Sequence, residues 1–269
     1  MTATADDLRD YYAALTEVTD QHAKLERLQK ALLGVPLDEQ DLAQIKTAHD
    51  ELQKRCDMAE SLSGLAEAYS GLARSEASAK VSQSAANLGS TLSTIQTLPG
   101  SSYAPEVLQH AGELLTKLAQ THDEKRMTEY VGPAITALSE MYSQEKPVYE
   151  SINRTYIELA QSLALELIQR NQVDVDSLVV PALKPFGLTS RNPEEMLSPG
   201  LQDYAREQIQ ERGQAEVTAH AAASAGMEKA LKELSQTVHE LASRGQLSKT
   251  GPTAHHSSVE HWTTMVPVN

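Results

Sequence analysis

Aromatic residues are scarce in this sequence: one Trp (Trp262), one Phe (Phe186) and nine Tyr make up 4% of 269 residues. A β-sandwich or barrel of this length draws its core from Val, Ile, Phe and Tyr in alternating runs. That composition is missing, which argues against an all-β fold. Cysteine is scarcer still. Cys56 stands alone, so no intramolecular disulfide can form, and a reducing compartment fits. No apolar run reaches the length of about 18 residues that a membrane-spanning helix needs. The first twenty residues carry Asp6, Asp7, Glu17 and Asp20 and lack the basic start and apolar stretch of a signal peptide. The expectation is a cytoplasmic protein, or an exported one if a leader has been removed.

Positive charge is also in short supply. Lys and Arg total 23 against 37 Asp and Glu, a formal net charge of -14. Binding to phosphate backbones requires clustered cations that release counterions. Nucleic acid is therefore excluded as the expected partner, and anionic membrane surfaces are disfavoured for the same reason. The phosphate loop G-x-x-x-x-G-K-[ST], the zinc motif H-E-x-x-H and the nucleophile elbow G-x-S-x-G are all absent. No catalytic residue, metal ligand or cofactor site is assigned from sequence.

What is present is Leu and Ala at helical spacing. These are strong helix formers, and they recur every third or fourth position. A first helix is expected from Ala5 to Leu33, capped by Thr4, with a seam of Leu8, Tyr11, Leu15, Val18, His22, Leu25 and Leu32. Gly34, Val35 and Pro36 end it. Asp38 is placed to cap the second helix, whose seam reads Leu42, Ile45, His49, Leu52 and Cys56 before shifting to Met58, Leu62, Leu65, Tyr69 and Leu72. The short connection makes the two antiparallel neighbours. A break near Arg74-Ser75 is expected next. Leu98 to Ser102 is a turn, with Pro105 at the start of the following helix. Thr121 and Glu124 match a capping box. The helix after them contains Pro133 and Pro147, and each is expected to kink it rather than stop it. An apolar stripe runs through both: Met127, Val131, Ile135, Leu138, Tyr142, Tyr149, Ile152, Tyr156, Leu159, Leu163 and Leu167.

Residues 173–199, with Pro181 and Pro185, read as an irregular cap on one end of a bundle. Asn192-Pro193 and Ser198-Pro199 are two candidate starts of the last helix. It is expected to end near Arg244, with His220, Ser224, Met227, Leu231, Leu234, Val238 and Leu241 on its seam. Residues 246–269 read as a flexible tail. The fold expectation is all-α: one elongated, mostly antiparallel bundle over residues 1–245, with coiled-coil-like seams. The only internal repeat is Ser63-Gly64-Leu65-Ala66 recurring as Ser70-Gly71-Leu72-Ala73. That seven-residue step is far from the period of about 34 residues in tetratricopeptide arrays. The glycine pair has two readings, a close helix approach or solvent-facing positions.

Several residues carry possible chemistry. His22 and His49 lie at similar heights on neighbouring helices and could hold a transition metal with a carboxylate. Di-iron bundles place Glu three residues before each ligand His, whereas Thr19 and Lys46 stand there, and polar seam residues also serve to fix register. His255, His256 and His261 in the tail form a weak metal-binding cluster, and Trp262, Met265 and Val266 a possible docking motif. Tyr142, Tyr149 and Tyr156, one heptad apart and near Glu145 and Glu150, either line a groove or pack at the bundle edge with wet hydroxyls. Cys56 reads as a small buried hydrophobe. The functional expectation is a non-enzymatic structural or interaction bundle that meets a protein partner or a second copy of itself. The alternatives are a metal- or small-ligand-binding bundle and a membrane-associated helical protein.

Overall fold

The computed structural model describes residues 1–36, 39–70, 77–121, 124–170, 172–173 and 198–244. Among them stand six helices and no strand: α1 (Thr2–Leu33), α2 (Glu39–Ser70), α3 (Ala77–Thr94), α4 (Glu106–Thr121), α5 (Glu124–Gln169) and α6 (Pro199–Arg244). The all-α bundle expected from the Leu and Ala periodicity is what forms. The sequence-expected Asp38 cap, the break at Arg74-Ser75, most of the cap segment and the whole tail lie outside the described residues. No helix among the described residues is long and apolar enough to cross a membrane.

Helix α1 begins three residues earlier than its spacing indicates. Thr4 is not the cap but a buried position inside the helix, and the Ala5 N–H donates to the Met1 carbonyl at 3.1 Å. The reason is tertiary: Thr4 and Ala5 extend the buried face that Leu8 begins, so a helical N-terminus covers more of the core than an Asx-like cap would. At the other end Gly34 adopts φ 66°, and the Gly34 and Val35 N–H groups close onto Ala31 and Lys30. The left-handed conformation suits glycine and satisfies the last carbonyls.

The chain packs as three helical hairpins, α1–α2, α3–α4 and α5–α6, with α2 also on α3, α4 on α5 and α1 on α5. One contiguous core links them, including Leu8, Leu15, Leu52, Leu62, Leu88, Leu115, Leu138 and Leu231. Burying each such side chain stabilises the fold by about 1.5–3 kcal/mol. On α6 the expected seam from His220 to Val238 is buried. Helix α5 runs uninterrupted through Pro133 and Pro147. Each proline costs a helix about 3 kcal/mol. The buried residues around them, Val131, Ile135, Leu138, Tyr142 and Tyr149, more than offset that. Helix α4 ends at Thr121 and α5 starts at Glu124, where the capping-box spacing placed a new start, and α6 starts at the Ser198-Pro199 signal.

Glycine decides how closely two helices approach, but at another place than the repeat suggested. A Cβ added at Gly64 would meet nothing within 4 Å, so no backbone approaches there. Gly71 lies outside the described residues. The tight crossing is between α3 and α4: a Cβ on Gly89 would stand 2.5 Å from the Gly112 carbonyl oxygen, and one on Gly112 would stand 2.5 Å from that of Gly89. Two backbones cannot yield as a flexible side chain can. Gly112→Ala is therefore expected to destabilise the protein by about 1–3 kcal/mol through overpacking. Gly64→Ala should stabilise it by up to about 1 kcal/mol through helix propensity. Urea denaturation followed by circular dichroism measures both, and equal shifts would refute the close crossing.

Candidate functional site

The most polar part of the interior is centred on Arg55 of α2, which is wholly buried together with Glu145 of α5. Its Nε donates to Glu145 Oε2 at 2.9 Å and its Nη2 to Glu145 Oε1 at 2.6 Å, a bidentate pair. Nη1 donates to the Glu51 carbonyl at 2.9 Å and to Glu51 Oε2 at 3.2 Å. Nη2 also donates to the Gln96 carbonyl at 2.9 Å, just beyond α3. A guanidinium has five N–H donors in a rigid fork, and here every one finds an acceptor. Glu51 in turn accepts from the Gln96 N–H at 2.9 Å and from Lys54 Nζ at 2.5 Å. The centre thus ties α2, α5 and the segment after α3 together.

A tyrosine cluster continues from it. Tyr149 donates to Glu145 Oε2 at 2.6 Å, and the Tyr12 and Tyr149 hydroxyls stand 3.3 Å apart. Tyr142 donates to the Ser224 carbonyl at 3.2 Å, reaching α6. The rings of Tyr11, Tyr12, Tyr142 and Tyr149 lie with centroids 5.4–6.4 Å apart in tilted and edge-to-face pairs, the geometry that aromatic quadrupoles favour. His220 stacks on Tyr11 at 5.5 Å. Burial pushes the Tyr11 hydroxyl up to about 12 and the Tyr142 and Tyr149 hydroxyls well above their usual range. Burial also lowers His220 to about 4, so it is neutral at physiological pH. These groups pack on one another and are shut from water. Chemically the centre is a clamp that fixes helix register.

This overturns both sequence readings of the tyrosine stripe for Tyr142 and Tyr149. They neither line a groove nor sit at a wet edge, because two other tyrosines, a carboxylate and a serine carbonyl surround them. Tyr156 is only half-buried. The histidines are placed apart from any ligand set. His22 Nε2 stands 3.6 Å from Glu26, while His49 faces Asp20 at 3.5 Å and Asp50 at 3.4 Å. Among the described residues no group of three His, Cys, Asp or Glu is arranged to hold a metal ion. Cys56 is half-buried, with its Sγ 3.7 Å from the Arg9 carbonyl, and burial raises its pKa. The tail residues His255, His256, His261, Trp262, Met265 and Val266 lie outside the described residues. Sequence reading missed Arg55, Glu51 and Tyr12. The available signal was a pair of opposite charges four residues apart, Glu51 and Arg55, on either side of the seam residue Leu52.

Two open features remain. A polar groove of about 490 Å³ lies between α5 and α6, lined by Arg154, Glu158, Gln161, Gln210 and Gln214 among others. Gln161 crosses it to donate to the Ile209 carbonyl at 3.1 Å, and its amide occupies the space that a Cβ on Gly213 would need. The second is the far end of the α1–α2 hairpin. Buried residues stop at Thr19 on α1 and resume at Ala48 on α2. Between them Leu28, Leu33 and Val35 are 41%, 55% and 48% exposed, a concentration of large apolar side chains in water within eight residues. No family model matches this chain, and no curated protein or solved structure matches it either.

Proposed function

We propose that this chain is a non-enzymatic interaction protein that presents the tip of its α1–α2 hairpin to a protein partner. The observation that carries the reading is the exposure of Leu28, Leu33 and Val35 on a projecting, otherwise regular helix pair. Clustered exposed apolar residues mark contact surfaces more often than scattered ones do. The rigid anchor for such an arm is the Arg55–Glu145 clamp at its base. The closed polar interior also favours binding over catalysis, because Arg55 and Glu145 are both 0% exposed and out of reach of a substrate.

A photoreactive phenylalanine analogue placed at position 28, and separately at the still more exposed Val107 on α4, tests this in extract of the source cells. The expected result is one discrete adduct from position 28 and none from position 107. Excess unlabelled protein should compete it away, and Leu33→Asp should abolish it. Adducts of equal yield at both positions, or none at either, would remove the proposal.

A further inference from the structure

The geometry points to a small-molecule site in the polar groove between α5 and α6, one that takes a free α-amino acid with a carboxamide side chain, of the length of glutamine. The groove lies on a different hairpin from the α1–α2 tip and does not depend on that contact surface.

The same spacing builds both walls. The lining residues stand at 154, 157, 158 and 161 on α5 and at 210, 213, 214 and 217 on α6. Steps of three, four and seven residues keep to one side of a helix. The helices run antiparallel, since Ser143 and Lys146 meet Glu228 while Gln161, further along α5, meets Ile209. The floor is the buried Gly213 between the half-buried Ile157 and Val217. Glycine is a poor helix former, and here its missing side chain makes the room that the Gln161 carboxamide fills. Gln161 is thereby fixed in place. One N–H donates to the Ile209 carbonyl at 3.1 Å. Its other N–H and its oxygen have no partner among the described residues and remain available to a ligand.

The charges on the rim are also unused. Arg154 and Glu158 are exposed, one turn apart on α5. Neither makes an ion pair or hydrogen bond among the described residues. The cation precedes the carboxylate, which is the weaker order for such a pair on a helix. Along α5 the groove therefore offers a guanidinium, then a carboxylate, then an anchored carboxamide. A guanidinium takes a carboxylate through two parallel bonds. A carboxylate takes an ammonium, and a carboxamide takes another carboxamide, giving and accepting at once. Carboxylate, ammonium and carboxamide in that order along a short chain describe glutamine. A phosphate ester would set its charge against Glu158, and an apolar ligand would cover both charges without pairing them.

Length agrees with chemistry. Arg154 and Gln161 are separated by about 10 Å along the helix. Four carbon–carbon bonds carry glutamine from its α-carboxylate to its carboxamide, about 5 Å. A hydrogen bond of about 2.9 Å at each end brings the span to about 11 Å. The methylenes then cross Ile157, and Gln210 and Gln214 close the opposite wall. The volume of about 490 Å³ is within the usual range for small ligands. One side of the groove stays open to water, so the expected dissociation constant is about 1 mM.

Saturation-transfer difference NMR on the full chain, with L-glutamine titrated from about 0.1 to 20 mM around that value, tests the site. The signal should saturate with a dissociation constant of about 1 mM. Three analogues each lack one group: glutaramic acid the ammonium, γ-aminobutyramide the α-carboxylate, and L-leucine the carboxamide. Each should bind at least about tenfold more weakly, because one polar group of the site is left unpaired. Arg154→Met and Glu158→Gln should each weaken L-glutamine at least about tenfold. Lys46→Met, on the other hairpin, should leave it unchanged. Both groove positions are exposed, so circular dichroism should show parent-like helix and melting in each variant. No saturable binding by the parent overturns the inference. L-leucine binding as well as L-glutamine overturns it too, and so do folded Arg154 and Glu158 variants that bind like the parent.

Discussion

Replacing Arg55 with methionine is expected to lower the free energy of unfolding by about 3–5 kcal/mol, because it leaves the buried Glu145 carboxylate without its counter-charge. The loss is not only one ion pair. Glu145 keeps the Tyr149 hydroxyl but loses both guanidinium bonds, and the Gln96 carbonyl loses its donor. Glu145→Gln should cost less, since an amide oxygen can still accept from Arg55 while the guanidinium loses its full negative partner. The diagnostic variant is the double one. Buried ion pairs exchanged for well-packed apolar groups are often close to neutral. Arg55→Met with Glu145→Leu is therefore expected to recover at least half of the single-variant loss, the remainder reflecting the Glu51 and Gln96 carbonyls, which lose their guanidinium donors, and the Tyr149 hydroxyl, which keeps only Tyr12. Urea unfolding of the parent, Arg55→Met, Glu145→Leu and the double variant gives the coupling energy by the standard cycle. Strict additivity would show that the pair does not act as a unit.

Acid should loosen this protein in a window set by His220. Its unfolded pKa is near 6.5, and burial holds it at about 4 in the folded state. Between those values the unfolded chain binds a proton that the folded chain refuses, so stability rises with pH there. The contribution is fully present above about pH 6.5 and is lost as the pH falls toward 4. The 2.5-unit gap corresponds to roughly 3 kcal/mol at its limit. His220→Phe keeps an aromatic ring against Tyr11 and cannot take up a proton. Its stability should vary much less between pH 6.5 and 4 than that of the parent. Glu228 acts elsewhere on the scale: Lys232, Lys146 and Ser143 hold its carboxyl at about 2, so its contribution is lost only as the pH falls below about 4.5. Urea midpoints at half-unit pH steps separate the two windows. Parallel curves for parent and variant would show that His220 does not report on the fold.

The helices themselves were legible because their signal is local. Three- and four-residue steps name the buried side of α6 almost residue by residue from His220 to Val238, and Gly34 and Ser198-Pro199 mark ends through the chemistry of single residues. The heptad of tyrosines was also visible, but its meaning was not. Periodicity places Tyr142 and Tyr149 on one side of α5, yet whether that side meets water depends on Tyr11, Tyr12 and Ser224, which arrive from elsewhere in the chain. The same holds for Arg55. A charged residue on a helix ordinarily lies in solvent, and only acceptors from Glu51, Glu145 and the Gln96 carbonyl make its burial tolerable. The glycine case runs in parallel: the conspicuous repeat at Gly64 has open space beside it, while Gly89 and Gly112, far apart and unremarked, meet backbone to backbone.

By itself the sequence determined that this chain is acidic, helical and divided at its turns, because composition and periodicity act through neighbours a few residues apart. The tertiary structure alone decided which polar groups would be clamped in the interior and which apolar ones would be left in water at the hairpin tip. Those outcomes depend on contacts across as many as 137 residues, such as Tyr12 with Tyr149, and no local pattern encodes the energy of a pair that distant.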